Sequence, residues 1–304
     1  FVSCRACGHV IKCPHCDVSL SQHGSGAATR LVCHYCGYTT IQPGLCPVCG
    51  SKYISGFKAG TQKIEQVVKA RFPQARVLRM DMDTTRTKDG YEQILSAFSN
   101  HEADILIGTQ MIVKGHDFPG VTLVGVLAAD LSLYISDYRA SERTFQLLTQ
   151  AAGRAGRGDI PGNVIIQTYD PDHYSITTAK EQNYEAFYGQ EIEYRKMMRY
   201  PPVWNMLYIL CASKNEAAAS EAAVALMGKI DQIVRENSEK IFSIGPSDAP
   251  VAKISDVYRK VIYVKTREYQ TLVVLKDGLE AFIKDNCLYQ NVAVGFDFNP
   301  VNGF

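Results

Sequence analysis

Hydrophobic and polar positions divide the chain into three stretches. Over residues 1–52 no helical or strand period persists. From Tyr53 a helical period begins: Thr61 is placed to cap a helix whose apolar face is Ile64, Val67, Val68 and Phe72, ended by Pro73. ARVLRM (75–80) then reads as a strand, with Asp81, Asp83, Thr84 and Thr85 at its carboxyl end, and Tyr91, Ile94, Leu95 and Phe98 mark a second helix. ADILIGT (103–109) and VTLVGVLAA (121–129) are apolar β-branched runs of the kind found in buried parallel strands. A helix over about 141–152 and a strand NVIIQTY (163–169) follow, then a helical, Tyr-rich stretch over 171–199. Strands alternating with helices imply a right-handed parallel α/β sheet, whose ligands meet the loops at the strands' carboxyl ends.

The double proline at 201–202 breaks the pattern. Beyond it the order is strand (205–213), helix (215–237), two strands (240–246 and 257–266), helix (about 268–284) and strand (291–300). That βαββαβ order predicts a C-terminal ferredoxin-like α+β domain. The expected division is therefore 1–52, 53–199 and 200–304.

Composition adds little. At 304 residues, 46% hydrophobic and 21% charged, the chain is an ordinary globular one able to bury a sizeable core. No apolar run reaches the ~18 residues of a membrane span, and FVSCRACGHV is neither a signal nor a transit peptide. Sequence upstream of Phe1 is expected. The formal charge of +1 announces no nucleic-acid partner.

The cysteines change the picture. Eight of the ten form four pairs: Cys4/Cys7, Cys13/Cys16, Cys33/Cys36 and Cys46/Cys49, each C-x-x-C. Gly8, Gly37 and Gly50 follow three of them, as in zinc knuckles. A disulfide framework is the rival reading, and it would need a secretory signal. The spacing predicts two Cys4 zinc sites, so two Zn²⁺ per chain. Consecutive, crossed and nested pairings are all open; nested (4, 7, 46, 49 with 13, 16, 33, 36) is preferred. His15 and His34 lie inside knuckles, but four thiolates already fill each site. Each Cys4–Zn site carries −2, so two of them take the formal charge from +1 to −3 and weaken a non-specific grip on DNA. Cys211 and Cys287 read as core cysteines.

Two loops concentrate the remaining chemistry. TQMIVKGHDFPG (109–120) carries Thr109, Gln110, Lys114, Gly115 and Asp117, and QAAGRAGRGD (150–159) carries Gln150, Arg154 and Arg157. No Walker A sequence and no D-E-x-H box occurs. From its residues alone GRAGR is equally a solvated turn. Thr84 and Thr85 could cap the helix at 91–98. Lys253, Arg259 and Lys260 near Tyr258 would suit single-stranded DNA or an acidic peptide, and equally a solvated strand edge.

GTQMIVKGHDFPGVTLVGVLAAD resembles motif V of superfamily 2 helicases, and QLLTQAAGRAGR resembles their motif VI. The cysteine order upstream, with GTQK, RMDMDTT and YPP, resembles the PriA (primosomal protein N′) family of replication-restart DNA helicases over essentially the whole chain. The resemblance implies a RecA-like second helicase lobe, a two-zinc ribbon module and a C-terminal ferredoxin-like domain. It departs from the family in lacking the N-terminal DNA-binding domains and the first lobe, with its Walker A lysine and Mg²⁺-binding acidic box. These residues alone are therefore expected to be inactive.

In the intact enzyme the resemblance implies ATP and Mg²⁺ in an inter-lobe cleft, with Arg157 and Arg154 as arginine fingers on the γ-phosphate. Gln150 would position that phosphate or the attacking water. Asp117, with Gly115 on the same loop, would touch the ribose or couple nucleotide state to DNA. Thr109 and Lys114 would contact single-strand phosphates, with Thr84 and Thr85 secondary to them. Asp130 is either a coupling residue or a satisfied strand-end acid. Lys253, Arg259 and Lys260 would meet DNA or the acidic tail of single-stranded-DNA-binding protein. Trp204 reads as a junction anchor. The implied function is a 3′→5′ helicase that recognises stalled forks and assembles the primosome, a monomer in the bacterial cytoplasm at the nucleoid, away from membranes. Its partners would be branched and single-stranded DNA and primosome-loading proteins. The alternative is a zinc-ribbon DNA- and protein-binding scaffold with a non-catalytic lobe.

Overall fold

The computed structural model describes residues 2–4, 6–23, 29–56, 60–81, 84–85, 89–113, 118, 120–135, 137–156, 161–236, 240–286 and 290–301. The chain forms two compact units: residues 57–191, and residues 1–56 together with 192–304. The first and last of the three predicted segments thus share a unit.

The N-terminal ribbon opens with β1 (Val2–Cys4), runs through β2 (Ser21–His23), β3 (Arg30–Val32) and β4 (Thr39–Ile41), and ends at β5 (Ile54–Gly56). β1 and β5 pair antiparallel and close its base, while β2, β3 and β4 form an antiparallel sheet. Among the described residues its buried interior is five cysteines with Val2, Leu20, Leu31 and Ile54. That is too few aliphatic side chains to hold 56 residues without metal.

Residues 57–191 contain α1 (Thr61–Arg71), β6 (Val77–Met80), α2 (Gly90–Ser99), β7 (Ile105–Gly108), β8 (Leu123–Val126), α3 (Ala140–Ala152), β9 (Asn163–Ile166), α4 (Tyr174–Lys180) and the start of α5 (Tyr184–Met198). Gly60, not Thr61, is the N-cap of α1, and the Thr61 hydroxyl donates instead to Asp81 Oδ2 at 2.5 Å. β6 pairs parallel with β7, and β8 parallel with β9. Among the described residues no ladder joins the two pairs, so the single sheet expected from the pattern is here two parallel ladders. The expected two-sided burial of β8 also fails. Val126 and Ile166 pack towards the core of Phe145, Leu148, Ile176 and Phe187, whereas Leu123 and Ile165 stay 59% and 62% exposed. α3 covers one face of this pair and leaves the other open.

The C-terminal part is β10 (Asn205–Ser213), α6 (Glu216–Glu236), β11 (Phe242–Ile254), β12 (Val257–Thr266), α7 (Tyr269–Asp285) and β13 (Ala293–Phe298). The sheet order is β11-β12-β10-β13, with every neighbouring pair antiparallel. β10 and β11 are therefore parallel around β12, the split βαβ of a ferredoxin-like fold. α6 and α7 bury Leu226, Ile230, Leu272, Leu275 and Leu279 against Leu207, Ile209, Ile262 and Val264. One expectation changes: the strand expected to end at Pro246 runs on, since β11 continues to Ile254 through two register shifts. A bulged edge strand accommodates Pro246 and Pro250, which have no N–H to donate. Gly245, at φ +119°, lies where a Cβ would meet the Val261 carbonyl oxygen at 2.7 Å.

Candidate functional site

The ribbon brings the cysteines together in the nested arrangement. Cys4, Cys7, Cys46 and Cys49 form one cluster and Cys13, Cys16, Cys33 and Cys36 the other, the sulfurs of each lying within 4.8 Å of one another. Individual separations are 3.6 Å (Cys4–Cys49), 3.7 Å (Cys7–Cys46) and 3.6 Å (Cys13–Cys36). A tetrahedral ion with Zn–S bonds of ~2.3 Å sets its ligand sulfurs ~3.8 Å apart, whereas a disulfide needs ~2.05 Å. The donor set therefore fits zinc and not disulfides. The sulfurs of one cluster compete for charge: the Cys7 amide N–H, working against burial, holds the Cys4 thiol down to about 6, while against the Ser51 amide the Cys7 thiol and burial push the Cys49 thiol up to about 12. Neither histidine enters a cluster. His15 Nδ1 instead lies 2.7 Å from Asp256 Oδ2.

Three knuckles are closed in the same way. Gly8, Gly37 and Gly50 sit at φ +76°, +76° and +69°, and their amides donate to the carbonyls of Cys4, Cys33 and Cys46 at 2.9, 3.0 and 2.9 Å. This left-handed conformation is the reason for glycine after these three pairs.

In the other unit, the described residues flanking the two loops are clasped together. α3 ends at Ala152, and two residues later Arg154 donates from Nε and Nη2 to the Val113 carbonyl oxygen at 3.1 and 2.6 Å. Val113 ends the 3-10 turn Gln110–Val113 that follows β7. Gly156 donates to the Val121 carbonyl at 3.0 Å, pinning the second loop beside β8. At φ +73° a Cβ on Gly156 would meet the Gly162 nitrogen at 2.6 Å, so these two glycines pass backbone against backbone at the neck of the loop that carries Arg157. The small residues of GRAGR thus serve close approach of the chain to itself.

Gln150 is exposed in the last turn of α3, and Thr109 is exposed just beyond β7. Lys114, Gly115, Asp117 and Arg157 lie outside the described residues. Thr84 and Thr85 cap no helix: the N-cap of α2 is Asp89. Both hydroxyls donate to the Asp81 carbonyl, at 3.1 and 2.8 Å. Asp130 is a satisfied strand-end acid, accepting from the Thr168 hydroxyl and the amides of Tyr169 and Asp170. Those donors, led by Thr168, hold its carboxyl below the usual range.

The three basic residues of the C-terminal hairpin have internal partners. Lys253 Nζ donates to the Pro14 carbonyl at 2.9 Å and sits 5.7 Å from the Tyr258 ring centre. Arg259 donates to the Val251 carbonyl at 3.3 Å, and Lys260 pairs with Asp248 at 2.5 Å. Trp204, 7% exposed, packs edge-on against Phe242, as a buried anchor does. Cys211 is fully buried, and burial pushes its thiol up to about 12; Cys287 lies outside the described residues. The Val113 and Val121 carbonyls, which position the two loops, had no signal in the sequence, because any residue supplies a backbone acceptor.

Three family models match. Residues 13–40 match the PriA DNA helicase Cys-rich region domain, 52–159 the helicase conserved C-terminal domain, and 196–301 the primosomal protein N C-terminal domain. Among curated relatives, the replication restart protein PriA of Bacillus subtilis is 46% identical over 302 residues, covering 99% of this chain and 37% of that protein. Those of Synechocystis and Borreliella burgdorferi are 45% and 35% identical, each across 99% of this chain and over 36% and 44% of their own lengths. The chain spans a little over a third of the first two of these relatives.

Proposed function

Since the chain belongs to the PriA family and carries that family's C-terminal region, we propose that it supplies the second motor lobe, the zinc ribbon and the C-terminal domain of an ATP-dependent 3′→5′ DNA helicase acting in replication restart. The observation that carries the motor reading is the clasp of Arg154 on Val113, which holds the motif VI loop to the motif V loop. A lobe that couples nucleotide state to DNA needs these two loops to move as one body. A non-catalytic scaffold has no use for that coupling and is not favoured.

In this reading Arg157 is the arginine finger. Its planar fork meets γ-phosphate oxygens and stays charged as negative charge spreads in the transition state. Arg154, committed to Val113, is a positioning residue that aims the loop. Gln150 orients the γ-phosphate or the attacking water. Gly115 lets the backbone approach the nucleotide, and Asp117 reaches the ribose. Thr109 and Lys114 hold single-strand phosphates. Lys253, Arg259 and Lys260 provide the second contact, with branched DNA or the tail of single-stranded-DNA-binding protein, by exchanging their internal partners at Pro14, Val251 and Asp248. Mg²⁺ supplies charge neutralisation between the phosphates when bound. Residues 1–304 contain no Walker A sequence, so the other wall of the cleft comes from elsewhere in the protein, and these residues by themselves turn over no ATP. The enzyme works as a monomer in the bacterial cytoplasm, at the nucleoid, and hands the fork to primosome-loading proteins. No helix among the described residues is long and apolar enough to cross a membrane.

The test is Arg157→Ala in the full-length protein. Losing the finger should cost ~10³–10⁵ in DNA-stimulated ATP turnover and leave DNA binding intact. Unchanged turnover would reject the motor assignment.

A further inference from the structure

Three of the four knuckles read C-x-x-C-G; the second reads Cys13-Pro14-His15-Cys16-Asp17 and has no glycine. Asp17 does not take the left-handed conformation that closes the others, and its amide does not turn back to Cys13. It donates instead to the carbonyl of Lys253, 2.8 Å away on the C-terminal domain. Around that bond the tip of the β11–β12 hairpin completes the knuckle. The Ser255 amide donates to Cys16 Sγ at 3.2 Å. The Asp256 amide donates to the His15 carbonyl at 2.9 Å, and Lys253 Nζ to the Pro14 carbonyl at 2.9 Å. Ile254 packs against the cysteine core.

The tip is built for this. Ser255 and Asp256 lie at φ +51° and +62° between the paired residues Ile254 and Val257, a two-residue turn of the primed type. Non-glycine residues at positive φ cost strain, and this turn aims two adjacent amides at one target. An amide N–H on a ligand sulfur stabilises the thiolate, and such outer contacts govern how tightly a metal is held.

We propose that the hairpin turn Lys253–Asp256 is the missing half of the second knuckle, so that the Cys13/Cys16/Cys33/Cys36 site depends on the C-terminal domain to retain its metal while the Cys4/Cys7/Cys46/Cys49 site does not. The proposal rests on zinc occupancy of the two clusters and is independent of the motor assignment. It makes the ribbon and the last domain one cooperative piece through a metal ligand.

The experiment uses the whole chain loaded with ¹¹³Cd. The Ser255 amide should show a through-bond correlation to one of two cadmium ions and none to the other. In zinc-loaded protein, the paired substitution Lys253→Ala/Asp256→Ala should speed chelator-driven release of one ion by at least ~10-fold, the scale of lost outer-sphere support, and leave the second unchanged. No correlation at Ser255, or equal release of both ions, would overturn the proposal, and the correlation decides even if the paired variant fails to fold. A chain that takes up no cadmium would sink the metal reading itself and this proposal with it.

Discussion

Arg154 spends two of its five N–H donors on a single acceptor, the carbonyl oxygen of Val113. The side chain is half-buried, so the bond forms largely out of water. Charge-assisted hydrogen bonds contribute ~1.5–3 kcal/mol. Arg154→Ala should therefore lower the unfolding free energy of the unit by ~1.5–3 kcal/mol. Arg154→Lys should recover little of it, because a lysine keeps the charge but lacks the fork. Chemical denaturation measures both. If the alanine variant matches the parent in stability, Arg154 is not a clasp and returns to candidacy as a finger.

The glycine crossing makes a second prediction. Gly156→Ala places a Cβ at φ +73°, 2.6 Å from the Gly162 nitrogen. The left-handed conformation costs ~1–3 kcal/mol for a non-glycine residue, and the clash adds to it because its partner is backbone. The variant should melt several degrees lower, at ~2–8 °C per kcal/mol for domains of this size. Gly125→Ala, with open space around its Cβ position, is the control and should melt close to the parent. Equal melting of both variants would refute the crossing.

Much of this architecture was legible because it is written in period and spacing. The helices at 61–71, 140–152 and 216–236 follow from apolar positions three and four apart, and the paired cysteines announced the metal clusters. Spacing left the pairing open, because it encodes no distance between residues 4 and 49; the β1–β5 ladder supplies it. The continuation of β11 beyond Pro246 to Ile254 was hidden, since Gly245, Pro246 and Pro250 all normally punctuate. Backbone acceptors such as Val113 carry no residue signature. The internal partners of Lys253 and Lys260, the Pro14 carbonyl and the Asp248 carboxylate, were equally invisible, because a basic side chain reads the same whatever acceptor it meets.

The nested clusters can be distinguished by zinc counting. The parent chain should carry about two zinc ions, one per Cys4 set. The pair Cys4→Ser/Cys49→Ser removes ligands from one cluster and should leave one ion. Cys4→Ser/Cys36→Ser strikes both clusters and should leave none. Consecutive pairing would strip both ions from the first variant, so elemental analysis of these two proteins decides the arrangement.

Lys265 sets a pH dependence. It is 5% exposed, with its ammonium 3.7 Å from the Tyr200 ring centre and donating to the Met198 carbonyl at 3.1 Å. Burial first, and then the Arg199 guanidinium, push its pKa down from 10.5 to about 8. The folded state therefore releases this proton before the unfolded chain does. Between about pH 8 and 10.5 the unfolded state binds more protons, so this lysine's contribution to stability rises with pH across that window. Below pH 8 the cost of a buried ammonium is fully present. Lys265→Met, which keeps the stem and removes the charge, should be more stable than the parent at pH 7. That advantage should shrink steadily towards pH 10.5, because the parent lysine becomes neutral too. Urea denaturation of both proteins at pH 7, 8, 9 and 10 measures the gap, and the subtraction cancels tyrosine and thiol titrations that both share. A methionine variant less stable than the parent at pH 7, with a gap indifferent to pH, would show that the Tyr200 ring and the Met198 carbonyl stabilise the cation more than burial penalises it.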